Sequence, residues 1–123
     1  MKIDYQNEII IIEKDGKKKE VPFSSKEAFS LISDLWIRVG WDTKYVYSFT
    51  WLGRPIIQLP EDLIRLQELI YSIKPKNIIE TGVAHGGGLM FYSTIMKCIY
   101  EEFKVIGVDI EIREKNRKSI EEH

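Results

Sequence analysis

The sequence predicts an α/β fold, and three observations carry that expectation. Residues 76–109 read as a short apolar strand over 77–80, a glycine-rich turn, an apolar helix over 89–100, and a second strand over 104–109 ending in an acid. A further helix over 61–73 runs through Lys74-Pro75 directly into the first of these strands, the alternation of layered helix and sheet. The 123 residues, 44% hydrophobic and 11% aromatic, suffice for a modest core and argue against wholesale disorder.

Composition narrows the function classes. With 18 basic against 19 acidic residues and a net charge of −1, no bulk field draws the chain to nucleic acid or to an anionic membrane. Cys98 is the only cysteine, which excludes an internal disulfide and a four-cysteine zinc site and fits a reducing compartment. The N-terminus, MKIDYQNE, has no apolar core, and Ile9–Ile12 falls far short of the ~7–15 residues of a signal peptide or the ~20 of a spanning helix. A cytoplasmic location, no membrane span and no nucleic-acid partner are expected.

Ile9–Glu13 is β-branched and leads through Asp15-Gly16 to a second run over 18–21. Asp-Gly between two such runs signals a hairpin, because a type I′ turn needs positive φ at both central residues. The lysines at 17–19 have a functional reading, a phosphate or headgroup patch. Flanked by Asp15 and Glu20, they read better as a solvated edge that discourages aggregation. Ser24 with Glu27 forms a capping box, and Phe23 is placed to staple onto Ala28. Ala28, Leu31, Ile32, Leu35, Trp36 and Val39 then recur at helical spacing until Gly40 ends the helix.

Residues 41–60 are irregular and aromatic, with Trp41, Tyr45, Tyr47, Phe49 and Trp51 interrupted by Gly53, Pro55 and Pro60. They read either as a lid over a small-molecule pocket or as a loop pinned by buried rings. In the helix that follows, Glu61 and Asp62 suit the positive end of the dipole. Leu63, Leu66, Ile70 and Ile73 define its buried face, and the proline at 75 ends it. Two regions result: 1–60, a hairpin, helix and aromatic segment, and 61–123, a partial nucleotide-binding unit.

Thr81–Gly88 (TGVAHGGG) joins strand to helix. Glycines there leave backbone amides unpaired and let a ligand come close, which suits an anion or nucleotide. The spacing is not G-x-G-x-x-G. Asp109, ~20 residues past the turn at the end of the next strand, is placed for a bidentate hold on a ribose diol. Each piece has a plain alternative: the glycines make a tight turn, and the acid caps the following helix. Jointly, with Glu80 ending the first strand, they favour nucleotide binding. His85 reads as a base, a metal ligand or a residue bonded to its own turn. The other histidine is His123, the last residue, and no acid cluster surrounds His85, so the turn is favoured. Cys98 is expected to face helix packing rather than a charged pocket.

Three blocks, Trp51–Leu63 (WLGRPIIQLPEDL), Ile78–Gly88 (IIETGVAHGGG) and Val105–Arg117 (VIGVDIEIREKNR), resemble in order and separation the cephalosporin hydroxylase / rhamnosyl O-methyltransferase family. The resemblance covers about residues 51–123 and does not extend to the first 40. It implies the N-terminal part of a Rossmann-like class I methyltransferase fold. It also implies S-adenosylmethionine as cofactor, assistance by a divalent metal (typically Mg2+), and hydroxyl acceptors on antibiotic intermediates or cell-surface lipid sugars. Carried over by position, Glu80, Thr81 and Gly82 begin the cofactor loop near the methionine moiety, and His85 lies within it. Gly86 and Gly87 let the backbone approach the ligand, Asp109 takes the ribose hydroxyls, and Arg113 is a structural tie. Gly88 stands where the family usually has serine, and glycine at a capping position costs only a few tenths of a kcal/mol.

Such a sheet has more strands than the sequence supplies, so the fold is expected to be incomplete. Methyl transfer needs an acceptor oxygen in line with the sulfonium methyl and a means of removing its proton or stabilising its charge. The metal carboxylates and any general base are expected beyond residue 123, leaving a cofactor half-site with no catalytic or metal-ligating residue assigned. The alternatives are a non-catalytic nucleotide- or partner-binding module completed by a second chain, and an unrelated nucleotide-binding α/β protein. An unpaired strand edge and an uncovered helix predict self-association or a complementing C-terminal chain.

Overall fold

The computed structural model describes residues 1–122, so the expectation that touched His123 lies outside the described residues. The chain forms two compact units, Met1–Thr43 and Lys44–His123.

In the first unit, the isoleucines at 9–12 suit a pleated, half-buried surface. They form β2 (Ile9–Lys14), the middle strand of an antiparallel sheet between β1 (Lys2–Asp4) and β3 (Lys17–Pro22). Asp15 and Gly16 turn the hairpin with φ of 53° and 72°, the two positive values a type I′ turn demands. Ile10 pairs with Val21, and both are buried with Ala28 of helix α1 (Lys26–Asp42). The lysines of β3 are exposed; Lys18 pairs with Glu20 and Lys19 with Glu27. Exposed pairs contribute ~0–1 kcal/mol, so the ladder and Val21 hold this strand.

Three details differ from the sequence expectation. The strand β1 is too short to carry an alternation signal. Ser25, not Ser24, caps α1: its Oγ accepts from the Ala28 N–H at 3.1 Å and donates to the Pro22 carbonyl at 2.7 Å. Glu27 then lies one position short of the capping-box site and reaches Lys19. Gly40 is buried inside the helix, which continues to Asp42 and is closed by Thr43 donating to the Val39 carbonyl.

The second unit opens with a 3₁₀ turn at Tyr45–Tyr47 and a hairpin of β4 (Phe49–Trp51) and β5 (Arg54–Ile56). Trp51 lies edge-on to Phe91 with ring centroids 5.0 Å apart, and its Nε1–H donates to Thr94 Oγ1 at 2.9 Å. Phe49, Trp51 and Ile56 pack into the same core, so these rings pin the segment. The compact units divide at Thr43 rather than at residue 60, because Phe49, Trp51 and Ile56 pack into the core of the second unit.

Helix α2 (Pro60–Ile73) ends at Lys74, which takes the left-handed conformation before Pro75. Strands β6 (Asn77–Thr81) and β7 (Lys104–Val108) pair in parallel, with Glu80 opposite Gly107 and Thr81 opposite Val108. Helix α3 (Gly87–Ile99) forms the crossover between them, and α4 (Glu114–Glu121) follows β7. Ile56, Ile70, Phe91 and Met96 form the buried centre, with Leu66, Ile78 and Val105 packed against it.

The alternation of a strand sends Ile78 and Val105 into this core and Ile79, Ile106 and Val108 to the other face. That other face is open: the three side chains are 65%, 44% and 51% exposed. Both strands are apolar on both sides, yet among the described residues only one side is covered. Cys98 is also exposed, on a side of α3 where the sequence suggested packing.

Phe91 is 2% exposed and joins the hairpin to α3. Phe91→Ala is expected to lower the unfolding free energy by about 3–5 kcal/mol. A urea midpoint close to that of the unsubstituted chain would show that the core does not rest on this ring.

Candidate functional site

Adjacent parallel strands end side by side, and the crevice outside their carboxyl ends is where α/β sheets bind ligands. At the end of β6, Gly82 takes a φ of 88° and its N–H donates to the Val108 carbonyl at 2.8 Å. A tight turn follows, closed by the Gly86 N–H on the Val83 carbonyl at 2.8 Å. Inside it Ala84 sits at φ 47°, a region that residues bearing a Cβ seldom occupy. Such a conformation persists only where its surroundings over-determine it.

Three elements supply that determination. Asp109, just past β7, accepts through Oδ2 from the Val83 N–H at 2.7 Å and the Ala84 N–H at 3.4 Å. Asn116 of α4 donates its side-chain amide to the Ala84 carbonyl at 2.8 Å. Arg54 of β5 donates to the His85 carbonyl. The Val83 bond, then the bonds from Glu111 and Ala84, hold the Asp109 carboxyl below the ordinary carboxylate range. Oδ1 takes the Glu111 N–H at 3.3 Å, so Asp109 also orders the turn after β7; it does not cap the following helix, whose N-terminus at Arg113 has no side-chain cap. An ionised carboxylate offers about four acceptor positions, so acceptor capacity remains on Oδ1.

The glycines divide by what surrounds them. A Cβ at Gly82 would meet nothing within 4 Å, so this backbone faces open space. At Gly86, which has φ 81°, a Cβ would lie 2.5 Å from Ile120 Cγ1 of α4. At Gly87 it would overlap the Pro55 carbonyl and lie 2.7 Å from Ile56 Cβ. These two therefore let α4 and β5 close on the start of α3, and Gly87 also borders the cavity beside Glu80. At Gly88 a Cβ would overlap Oε1 of Glu80.

Glu80 projects from β6 into a cavity of about 310 Å³ between residues 55–58, the 82–85 loop and Tyr92. Its Oε2 is buried and accepts no hydrogen bond. Burial raises Glu80 to about 7. Tyr92 is raised by burial and then by the charge of Glu80. A half-buried acid with an unpartnered oxygen matches a cationic N–H donor, or else holds a proton.

Thr81 lies on the opposite face and borders a second opening with Gly82 and Asp109. The His85 side chain is exposed, and its carbonyl serves the turn. Asp109 and Glu80 thus flank the loop from two sides. Arg113, expected as a structural tie, stands at the start of α4, where its carbonyl accepts from Asn116 and Arg117. The tie to the loop comes from Asn116 instead. Asn116 and Arg54 were missed as anchors although both lie in the motif blocks, because no local pattern marks a side chain that reaches a carbonyl 32 or 31 residues away. Among the described residues no three His, Cys, Asp or Glu side chains stand together to hold a metal.

The profile of the Rhamnosyl O-methyltransferase/CmcI family matches residues 43–123. The chain is 34% identical over 61 residues to a rhamnosyl O-methyltransferase of Mycobacterium leprae, covering 50% of this chain and 27% of that protein. It is 32% identical over 60 residues to rhamnosyl O-methyltransferases of Mycobacterium bovis and Mycobacterium tuberculosis, covering 49% of this chain and 24% of each. The chain thus spans about a quarter of the length of these curated relatives. No solved structure matches it. No helix among the described residues is long and apolar enough to cross a membrane.

The position of Glu80 has a consequence for stability. In the folded chain it keeps its proton to about pH 7, against an ordinary value of 4.5. Its contribution is therefore complete below the ordinary value and is lost as pH rises through the folded one. Glu80→Gln should flatten that decline and stabilise the chain near pH ~8 by roughly 1–2 kcal/mol, after discounting for solvent at a half-buried site. Urea unfolding of both proteins at about pH 5 and about pH 8 measures this; parallel behaviour would remove Glu80 as the cause.

Proposed function

The chain belongs to the Rhamnosyl O-methyltransferase/CmcI family, and we propose that it carries the cofactor half of an S-adenosylmethionine-dependent O-methyltransferase. On this reading β6, α3 and β7 are the start of a Rossmann-like class I methyltransferase sheet. The observation that carries the reading is the placement of two acids, Glu80 and Asp109, at the ends of adjacent parallel strands on either side of a loop held from three elements.

The cofactor, when bound, supplies an electrophilic methyl group. Glu80 receives its ammonium, for which the unpartnered Oε2 is the matching acceptor. Gly82 presents open backbone to it. Asp109 takes the ribose hydroxyls on the acceptor capacity of Oδ1 while Oδ2 keeps the loop closed. Thr81 and His85 border these positions. The acceptor is a hydroxyl of a sugar, a cell-surface lipid or an antibiotic-type molecule; the relatives named rhamnosyl O-methyltransferase support the sugar.

A second reading, a nucleotide- or partner-binding module completed by another chain, draws on the open apolar face of β6 and β7. The two readings share one requirement, that something covers Ile79, Ile106 and Val108. Sedimentation of the chain alone is expected to show concentration-dependent self-association, weakened in Ile106→Lys. A monomer at all micromolar concentrations would count against an interface there.

Calorimetry with S-adenosylmethionine tests the cofactor. At a ligand concentration ~100-fold above Kd the stabilisation should approach ~2.7 kcal/mol. Asp109→Ala should abolish it. Protection by NAD in place of S-adenosylmethionine, or undiminished protection in Asp109→Ala, would sink the methyltransferase reading.

A further inference from the structure

Gly88 lies in the first turn of α3, where the backbone is ordinary helix and glycine is not needed for its φ. What requires glycine there is a side chain from another element. A Cβ at 88 would overlap Glu80 Oε1 and lie 2.8 Å from its Cδ and 3.0 Å from Oε2, so the whole carboxyl rests in the space that a side chain at 88 would fill. In that position Oε2 is out of water and accepts no hydrogen bond. An acid left free to choose a rotamer would turn toward solvent, since an unpartnered buried polar atom costs about 1–3 kcal/mol.

We propose that Gly88 is a positioning residue for Glu80: its missing Cβ parks the acid against the start of α3, where only a proton or a cationic N–H ligand satisfies Oε2. The proposal rests on the methyltransferase reading for the identity of that ligand, the ammonium of S-adenosylmethionine. It does not rest on that reading for the geometry. Parking makes the ligand and a proton compete for one oxygen near neutral pH, as the raised pKa of Glu80, about 7, requires. The other titratable side chains lining the same cavity are Tyr92 of α3 and His85 of the loop. Tyr92 stays neutral in this range, its own value being raised. His85 is exposed and adds no partner to Oε2.

Substitution at 88 separates position from presence. The atoms a new Cβ meets are the far end of a flexible side chain, so Gly88→Ala should fold and push the Glu80 carboxyl outward. Carboxyl-labelled NMR titration of the ligand-free chain is then expected to show Glu80 titrating near 7 in the unsubstituted protein and close to its ordinary 4.5 in Gly88→Ala. Isothermal titration with S-adenosylmethionine should weaken about tenfold per pH unit below the Glu80 value in the unsubstituted protein. In Gly88→Ala that pH dependence should vanish between about pH 5.5 and about pH 8.

An unchanged Glu80 titration in folded Gly88→Ala overturns the proposal. If Gly88→Ala does not fold, Glu80→Ala/Gly88→Ala decides. Recovery of folding supports the overlap with Glu80, and continued failure overturns it. A Glu80 titration that shifts as expected, with no cofactor binding at any pH, supports the positioning role and defeats the methyltransferase reading instead.

Discussion

The carboxylate of Asp109 holds the glycine turn in place, and much of the second unit's geometry depends on it. Oδ2 accepts from Val83 and Ala84, the two residues at which the chain leaves β6 and doubles back toward α3. Without acceptors for these amides, a turn containing a non-glycine residue at φ 47° has little to hold it. Because the acid sits at the end of β7, its bonds tie the loop after β6 to the neighbouring strand. A charge-assisted bond thus couples the sheet to the loop. Asn116 and Arg54 add the same coupling from α4 and from the β4–β5 hairpin.

Close approach of backbone does the rest. Gly87 lets the Pro55 carbonyl touch the start of α3, Gly107 admits Val83 and Leu89 over β7, and Gly88 makes way for Glu80. None of these three glycines has a positive φ, so each is present for space. Within the 82–88 loop only Gly82 leaves its surroundings open. A run of glycines between strand and helix therefore serves largely as a set of packing contacts.

The two acids end up with opposite electrostatics for one physical reason. Asp109 is part-buried and surrounded by backbone donors, which lower its pKa. Glu80 is half buried with an oxygen that has no donor, which raises it. Near neutral pH the first is a fixed charge that maintains structure and the second is poised to titrate. The open face of β6 and β7 adds a third constraint. Two strands with apolar residues on both sides leave Ile79, Ile106 and Val108 without cover, and burial of such surface is worth ~25 cal/mol per Å² to whatever covers it.

Local signals were enough for much of this protein. The Asp15-Gly16 turn, the proline stop after α2 and the strand–turn–helix–strand order all follow from φ preferences, periodicity and spacing, which act over a few residues. The three blocks were enough to suggest the family. Other features depend on residues far apart in sequence. The β4–β5 hairpin is three residues a side and gains its stability from Phe91 and Thr94, so nothing within residues 49–56 announces it. The cap of α1 moved by one residue because Ser25 could reach Pro22 and Ala28 together. Which glycine faces open space and which faces Ile120, Pro55 or Glu80 was settled only when α4, β5 and β6 came together around the loop, since free space is a property of neighbours.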